Sequence, residues 1–121
     1  MDIKLIIMDD STIDQQVDLY RSAFNHTEDF ECIKKKWIIK HYKNPIHNSF
    51  IFGAYYEDKL VGMNAYLPTK FVCNGEQVLC VQSCESAVDP DFQGRGIWSK
   101  VVKYALDYLF TKTDCQFVYC I

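Results

Sequence analysis

Val88-Asp89-Pro90-Asp91-Phe92-Gln93-Gly94-Arg95-Gly96-Ile97 is the stretch whose reading decides the fold. Upstream of it, residues 76–88 read as a strand. Downstream, the apolar residues Ile97, Val101, Tyr104 and Tyr108 recur at helical spacing, and Trp98, Val102, Ala105 and Leu109 form a second apolar row beside them. The segment is therefore a loop between a strand and a deeply packed helix running from about Ile97 to Lys112. The first turn of a helix leaves backbone N–H groups unpaired, and the helix dipole adds partial positive charge there. Gly94 and Gly96 let the backbone approach an anion closely, and Arg95 adds a cation. Together these features predict a phosphate cradle.

Working outward, Cys115-Gln116-Phe117-Val118-Tyr119-Cys120 reads as a last strand, and a strand–helix–strand unit should place it parallel to 76–88. On the other side, Asn74-Gly75 predicts a two-residue type I′ hairpin turn. It joins 76–88 to a strand over 60–73, bent near Pro68. A strand over 49–56 and a turn at Glu57-Asp58-Lys59 complete a three-strand antiparallel meander. Residues 3–8 read as a first strand and 12–24 as an amphipathic helix, opened by a capping box at Ser11-Thr12-Ile13-Asp14. Asn25-His26-Thr27 ends that helix. Residues 28–42 form a second one, with Phe30, Ile33 and Trp37 on one face, stopped by Asn44-Pro45. The order is β-α-α-β-β-β-α-β, a mixed α/β sheet with helices on its faces.

Composition narrows the function classes. The 121 residues make one modest domain, 1–121. With 49% hydrophobic and 15% aromatic residues, the chain can build a dense core and is not disordered. A formal net charge of −3 argues against non-specific nucleic-acid binding. Lys34, Lys35 and Lys36 spread around a helix axis and read as a solvated face. No stretch is long and apolar enough for a membrane span, and the start shows no signal-peptide pattern. The six cysteines have no C-x-x-C pair and no histidine at a ligand spacing. They read as small apolar strand fillers in a reducing cytoplasm, with no metal site.

The loop is neither a P-loop, which ends in G-K-[ST], nor a Rossmann fingerprint, which has a third glycine. Val88-x-Pro90-x-x-Gln93-Gly94-x-Gly96-Ile97 resembles motif A of the GNAT acetyltransferases, whose core is [Arg/Gln]-x-x-Gly-x-[Gly/Ala]. Gln93, Gly94, Arg95 and Gly96 match its first four places. Trp98 departs at the sixth, where the family prefers Gly or Ala, so its indole is expected to point away from the ligand. The order of elements matches over almost the whole chain. Trp37 with Asn44-Pro45, and Gln82-Ser83 ahead of the loop, resemble a bacterial GNAT-like subgroup.

The resemblance implies a GNAT-like fold that transfers an acetyl or short acyl group from acetyl-coenzyme A to an amine. The alternative is a module that holds acyl-CoA, or pairs with another chain, without turnover. It further implies that backbone amides of Gln93, Gly94, Arg95, Gly96, Ile97 and Trp98, with Ser99, hold the pyrophosphate. The backbone at Ala87 and Val88 would pair with the pantetheine arm between the splayed parallel strands. An amide near Val88 would stabilise the oxyanion. The amine attacks directly, so a general base helps. Glu85, on the strand beside the cleft, is the candidate carboxylate, with a solvated or paired strand residue as its other reading. Cys84 has no histidine placed to activate it as a nucleophile, and Tyr119 reads as sheet packing. The family continues with a helix and two strands, so the resemblance implies a domain shortened after its fifth strand. The exposed edge at 115–120 would then favour self-association.

Overall fold

The computed structural model describes residues 1–120. Its elements are β1 (Ile3–Met8), α1 (Ile13–Phe24), α2 (Phe30–Tyr42), β2 (Phe50–Tyr56), β3 (Lys59–Cys73), β4 (Glu76–Val88), α3 (Ile97–Lys112) and β5 (Phe117–Tyr119), with short 3-10 turns at Asp10–Thr12 and Pro90–Phe92. The sequence order of helices and strands holds. One five-stranded sheet runs β1-β2-β3-β4-β5. The first three pairings are antiparallel and β4–β5 is parallel, as the crossover through α3 requires.

The alternation of side chains along the strands creates two cores. Met8, Ile51, Leu60, Met63, Ala65 and Ala87 meet α1 and α2 through Val17, Leu19, Ile33 and Trp37. Phe52, Ala54, Val61, Tyr66 and Val81 meet α3 through Ile97, Val101, Ala105 and Leu109. Burial across both faces is what holds an open sheet of this size together. The α1–α2 layer also contains a buried polar bridge: Trp37 Nε1 donates to Gln16 Oε1 at 2.9 Å, and the Tyr42 hydroxyl donates to the same oxygen at 3.0 Å. A buried amide left without such partners would be costly.

Asn74 and Gly75 adopt φ of 53° and 81° between Cys73 and Glu76, the left-handed pair that a type I′ turn needs. Pro68 lies beyond Tyr66, the last β3 residue paired with β2, and its carbonyl accepts from Asn44 Nδ2 at 3.1 Å.

Four local expectations change. Asp9, not Ser11, opens the first helical segment: its carboxylate accepts from the Ser11 N–H at 2.9 Å, and a 3-10 turn precedes α1. Asp29 caps α2 by accepting from the Cys32 N–H at 2.7 Å, so that helix begins at Phe30. On α3 the buried seam is Ile97-Val101-Ala105-Leu109, flanked by Tyr104 and Tyr108 against Phe52; Trp98 is exposed and Val102 half-buried, so only one face packs. β5 is shorter than 115–120, because Thr113 Oγ1 takes the Cys115 N–H at 3.1 Å and pairing with β4 begins only at Phe117. Strand filling describes Cys80, which is buried, and Cys84 in part; Cys115 is buried but lies before β5, and Cys32, Cys73 and Cys120 are exposed thiols.

Candidate functional site

β5 pairs with β4 only at Cys80, Val81 and Gln82. Residues 83–88 of β4 have no strand on that side among the described residues, and a hollow lies on each face of this stretch.

The first hollow, of about 310 Å3, sits on the α3 face and is lined by Val88, Phe92, Gln93, Gly94, Gly96, Ile97, Trp98 and Ser99. The loop that forms it is pinned from below. Asp89 is buried, its carboxylate accepts from the Asp91 N–H at 2.8 Å, and it meets Lys59 Nζ at 3.0 Å. Its own N–H donates to the Val61 carbonyl at 2.8 Å. Gly94 and Gly96 take φ of 78° and 75°, which side chains with a Cβ adopt at a cost. A Cβ at either glycine would meet nothing within 4 Å, so both backbones face open space. Gly96 is the N-cap of α3 and supplies no side-chain acceptor, and the first turn holds no acidic residue. The first backbone bond of the helix is Lys100 N–H to Gly96 O at 3.2 Å, which leaves the N–H groups of Ile97, Trp98 and Ser99 without helical partners. An uncapped, acid-free helix start behind two open glycines suits a phosphate or pyrophosphate, so the residues present fit the phosphate-bearing part of a coenzyme A-type ligand.

Several sequence-derived candidates sit differently from their expected places. Ala87 is buried in the α1–α2 core, so only its backbone is available at the strand edge. The Arg95 guanidinium packs over the Phe92 ring at 5.1 Å and does not line the hollow. Gln93 Nε2 bends back to the Val88 carbonyl at 3.3 Å. The Trp98 indole does not turn away from the loop: its Nε1–H donates to Ser86 Oγ at 3.1 Å, so the ring reaches from α3 to the open end of β4. Phe92 and Ser86 are the contributors that sequence reasoning missed, although an aromatic residue just before the glycines was a visible signal for the first.

The second hollow, of about 200 Å3, lies on the opposite face between α1, α2 and β4 and is lined by Tyr20, His26, Glu28, Ile33, Lys36, Trp37, Lys40 and Glu85. Glu85 reaches it through an irregularity in the β3–β4 ladder. Ala65 pairs with Cys84 and Met63 with Ala87, so Glu85 and Ser86 together oppose Asn64, and Glu85 takes φ of 44°. A bulge of this kind re-aims a side chain. The Glu85 carboxylate meets Lys40 Nζ at 2.5 Å and faces His41 Nε2 at 3.4 Å. Burial pushes this carboxyl up, but polar contacts with His41, Cys84 and Lys40 outweigh it and bring it down to about 2. Burial, reinforced by Glu85, pushes the Cys84 thiol up to about 12, so it stays protonated. His41 is fully buried, packs against Trp37 with the rings tilted by 59°, and shares a 2.7 Å hydrogen bond through Nδ1 with Ser49 Oγ.

Among the described residues no cluster of His, Cys, Asp and Glu could hold a metal ion, and no helix is long and apolar enough to cross a membrane.

Comparison with known proteins gives a family and a fold. A family described as Acetyltransferase (GNAT) domain matches residues 4–119. A probable N-acyltransferase from Enterococcus faecalis superposes with a TM-score of 0.70 at 19% identity, over 93% of this chain and 28% of that one. A GNAT family acetyltransferase from Staphylococcus aureus gives 0.74 at 14% identity, over 100% of this chain and 87% of its own. Glucosamine-6-phosphate N-acetyltransferase from Arabidopsis thaliana gives 0.72 at 14%, over 100% and 82%. At these identities the likeness is one of fold. No curated protein matches the sequence.

Proposed function

The chain belongs to the GNAT acetyltransferase family, and from that membership we propose that it moves an acetyl or other short acyl group from coenzyme A to an amine by direct attack. The observation that carries this reading is the start of α3: an uncapped first turn behind two left-handed glycines that face open space. Bound coenzyme A supplies the acyl group as a thioester.

In this reading the N–H groups of Ile97, Trp98 and Ser99, with the amides of Gln93 to Gly96, hold the pyrophosphate. The edge of β4 at Ala87 and Val88 takes the pantetheine arm as an added strand would be taken. That edge lies between the two hollows, which supports entry of the amine from the Glu85 side. Glu85 meets the incoming ammonium group and accepts its proton; a carboxylate brought to about 2 attracts the cation strongly but holds a proton weakly by itself. The six free thiols suit a reducing cytoplasm as the compartment.

Release of free thiol from acetyl-CoA in the presence of primary amines tests the reading. Amine-dependent release, lost in Gly96→Glu, is expected. Saturable coenzyme A binding with no release from any amine would instead support a non-catalytic acyl-CoA-binding module.

A further inference from the structure

We infer that His41 is a positioning residue for proton transfer: it shares the proton that Glu85 accepts, so that Glu85, His41 and Ser49 act as one buried relay. The inference rests on the acyl-transfer reading above and extends it to a residue that no sequence motif marks.

The geometry is specific. His41 Nε2 and Glu85 Oε2 face each other at 3.4 Å, and both atoms are buried with no other hydrogen-bond partner. At the far side of the ring, Nδ1 is held by Ser49 Oγ at 2.7 Å, and the Ser49 N–H donates to the His41 carbonyl at 2.8 Å. Ser49 is thereby fixed to both the backbone and the ring of one residue. The inferred resting tautomer has Ser49 accepting from Nδ1–H and the Nε2 lone pair aimed at Glu85. Trp37 packs against the ring with centroids 4.5 Å apart and planes tilted by 59°, which restricts its turning. In that tautomer Nε2 and Oε2 are opposed buried acceptors, and one proton between them satisfies both.

Other charges near the pair leave this assignment intact. From α2, Lys40 pairs with the opposite oxygen of Glu85 at 2.5 Å. From the segment before α2, Glu28 is taken up by Lys36 at 2.7 Å. From α1, the Tyr20 phenol is pushed up by burial and by Glu85. From β4, Cys84 stays a thiol, and His26 lines the same hollow. His41 is the buried base in reach of Glu85.

The step balances as follows. An acceptor ammonium gives one proton to Glu85, which passes it to His41 Nε2. The freed nitrogen lone pair forms the N–C bond while the C–S bond breaks with its electron pair on sulfur. The second nitrogen proton neutralises that sulfur. His41 returns its proton to solvent through Glu85.

Two measurements on the whole protein test the relay. In the free protein, 15N NMR of the imidazoles should show His41 protonated at Nδ1 with Nε2 bare, and Ser49→Ala should disturb that tautomer. In turnover, the acidic limb of log kcat/KM against pH should move in His41→Asn, while KM for acetyl-CoA stays within about twofold. His41 protonated at Nε2 in the free protein overturns the inference whatever the turnover. An acidic limb unmoved in His41→Asn overturns the relay and leaves acyl transfer standing. No thiol release from the wild-type protein removes the acyl-transfer reading and the relay with it.

Discussion

The Trp98 indole N–H donates to Ser86 Oγ at 3.1 Å, tying the first turn of α3 to the end of β4, whose β5-side edge carries no strand among the described residues. Trp98 is half exposed whereas Trp37, the other tryptophan, is buried. Coenzyme A in the loop hollow would therefore change the surroundings of one indole and leave the other alone. Tryptophan emission should shift on saturation with coenzyme A, and the shift should vanish in Trp98→Phe. Unchanged emission at saturating coenzyme A would place the ligand elsewhere.

Gly62 supports the same loop from beneath. A Cβ there would come within 2.7 Å of Ile97 Cγ2, and Ile97 is the first residue of α3. Gly62→Ala must displace the helix start. Overpacking of this kind costs about 1–3 kcal/mol, and the displacement should also weaken coenzyme A binding. Urea unfolding and a coenzyme A titration on the same variant check both parts. Wild-type values in both would show that Ile97 yields without moving the loop.

Glu85 makes stability depend on pH. Its carboxyl is brought from the ordinary 4.5 to about 2 in the fold. A depressed pKa contributes stability above about 4.5, and that stability is lost as pH falls towards about 2. The linked contribution is on the order of 3 kcal/mol. Urea midpoints measured across this window should fall more steeply for the wild type than for Glu85→Gln. Parallel curves would show that the ion pair with Lys40 and the contact with His41 do not hold the carboxylate in its charged form.

The architecture was legible where the chain uses local signals. Asn74-Gly75 set the hairpin and its register, and the turn at Glu57-Asp58-Lys59 between two apolar runs marked the rest of the meander. The glycine pair before Ile97 set the start of α3. The helix starts were read less well, because Asp9 and Asp29 compete with nearby Ser and Thr for the cap, and only the backbone geometry decides between them. Of the site, the loop could be read because its parts are contiguous. The Glu85–His41–Ser49 group could not: its members come from β4, α2 and the segment before β2. The bulge that turns Glu85 inward interrupts a stretch, Gln82-Ser83-Cys84-Glu85-Ser86, that has no apolar period to interrupt visibly. His41 had one faint signal, its place one helical turn after Trp37 on the buried face of α2.

The account depends most on the start of α3 being the binding place for coenzyme A. Calorimetric titration of coenzyme A into the wild-type protein and into Gly96→Glu, with circular dichroism confirming that both are folded, tests it most directly. Glutamate there would occupy a φ of 75° and put a carboxylate in front of the uncapped helix N-terminus. The account predicts saturable one-site binding to the wild type and none to the variant. Equal affinity in the two proteins, or no binding to the wild type, would contradict it.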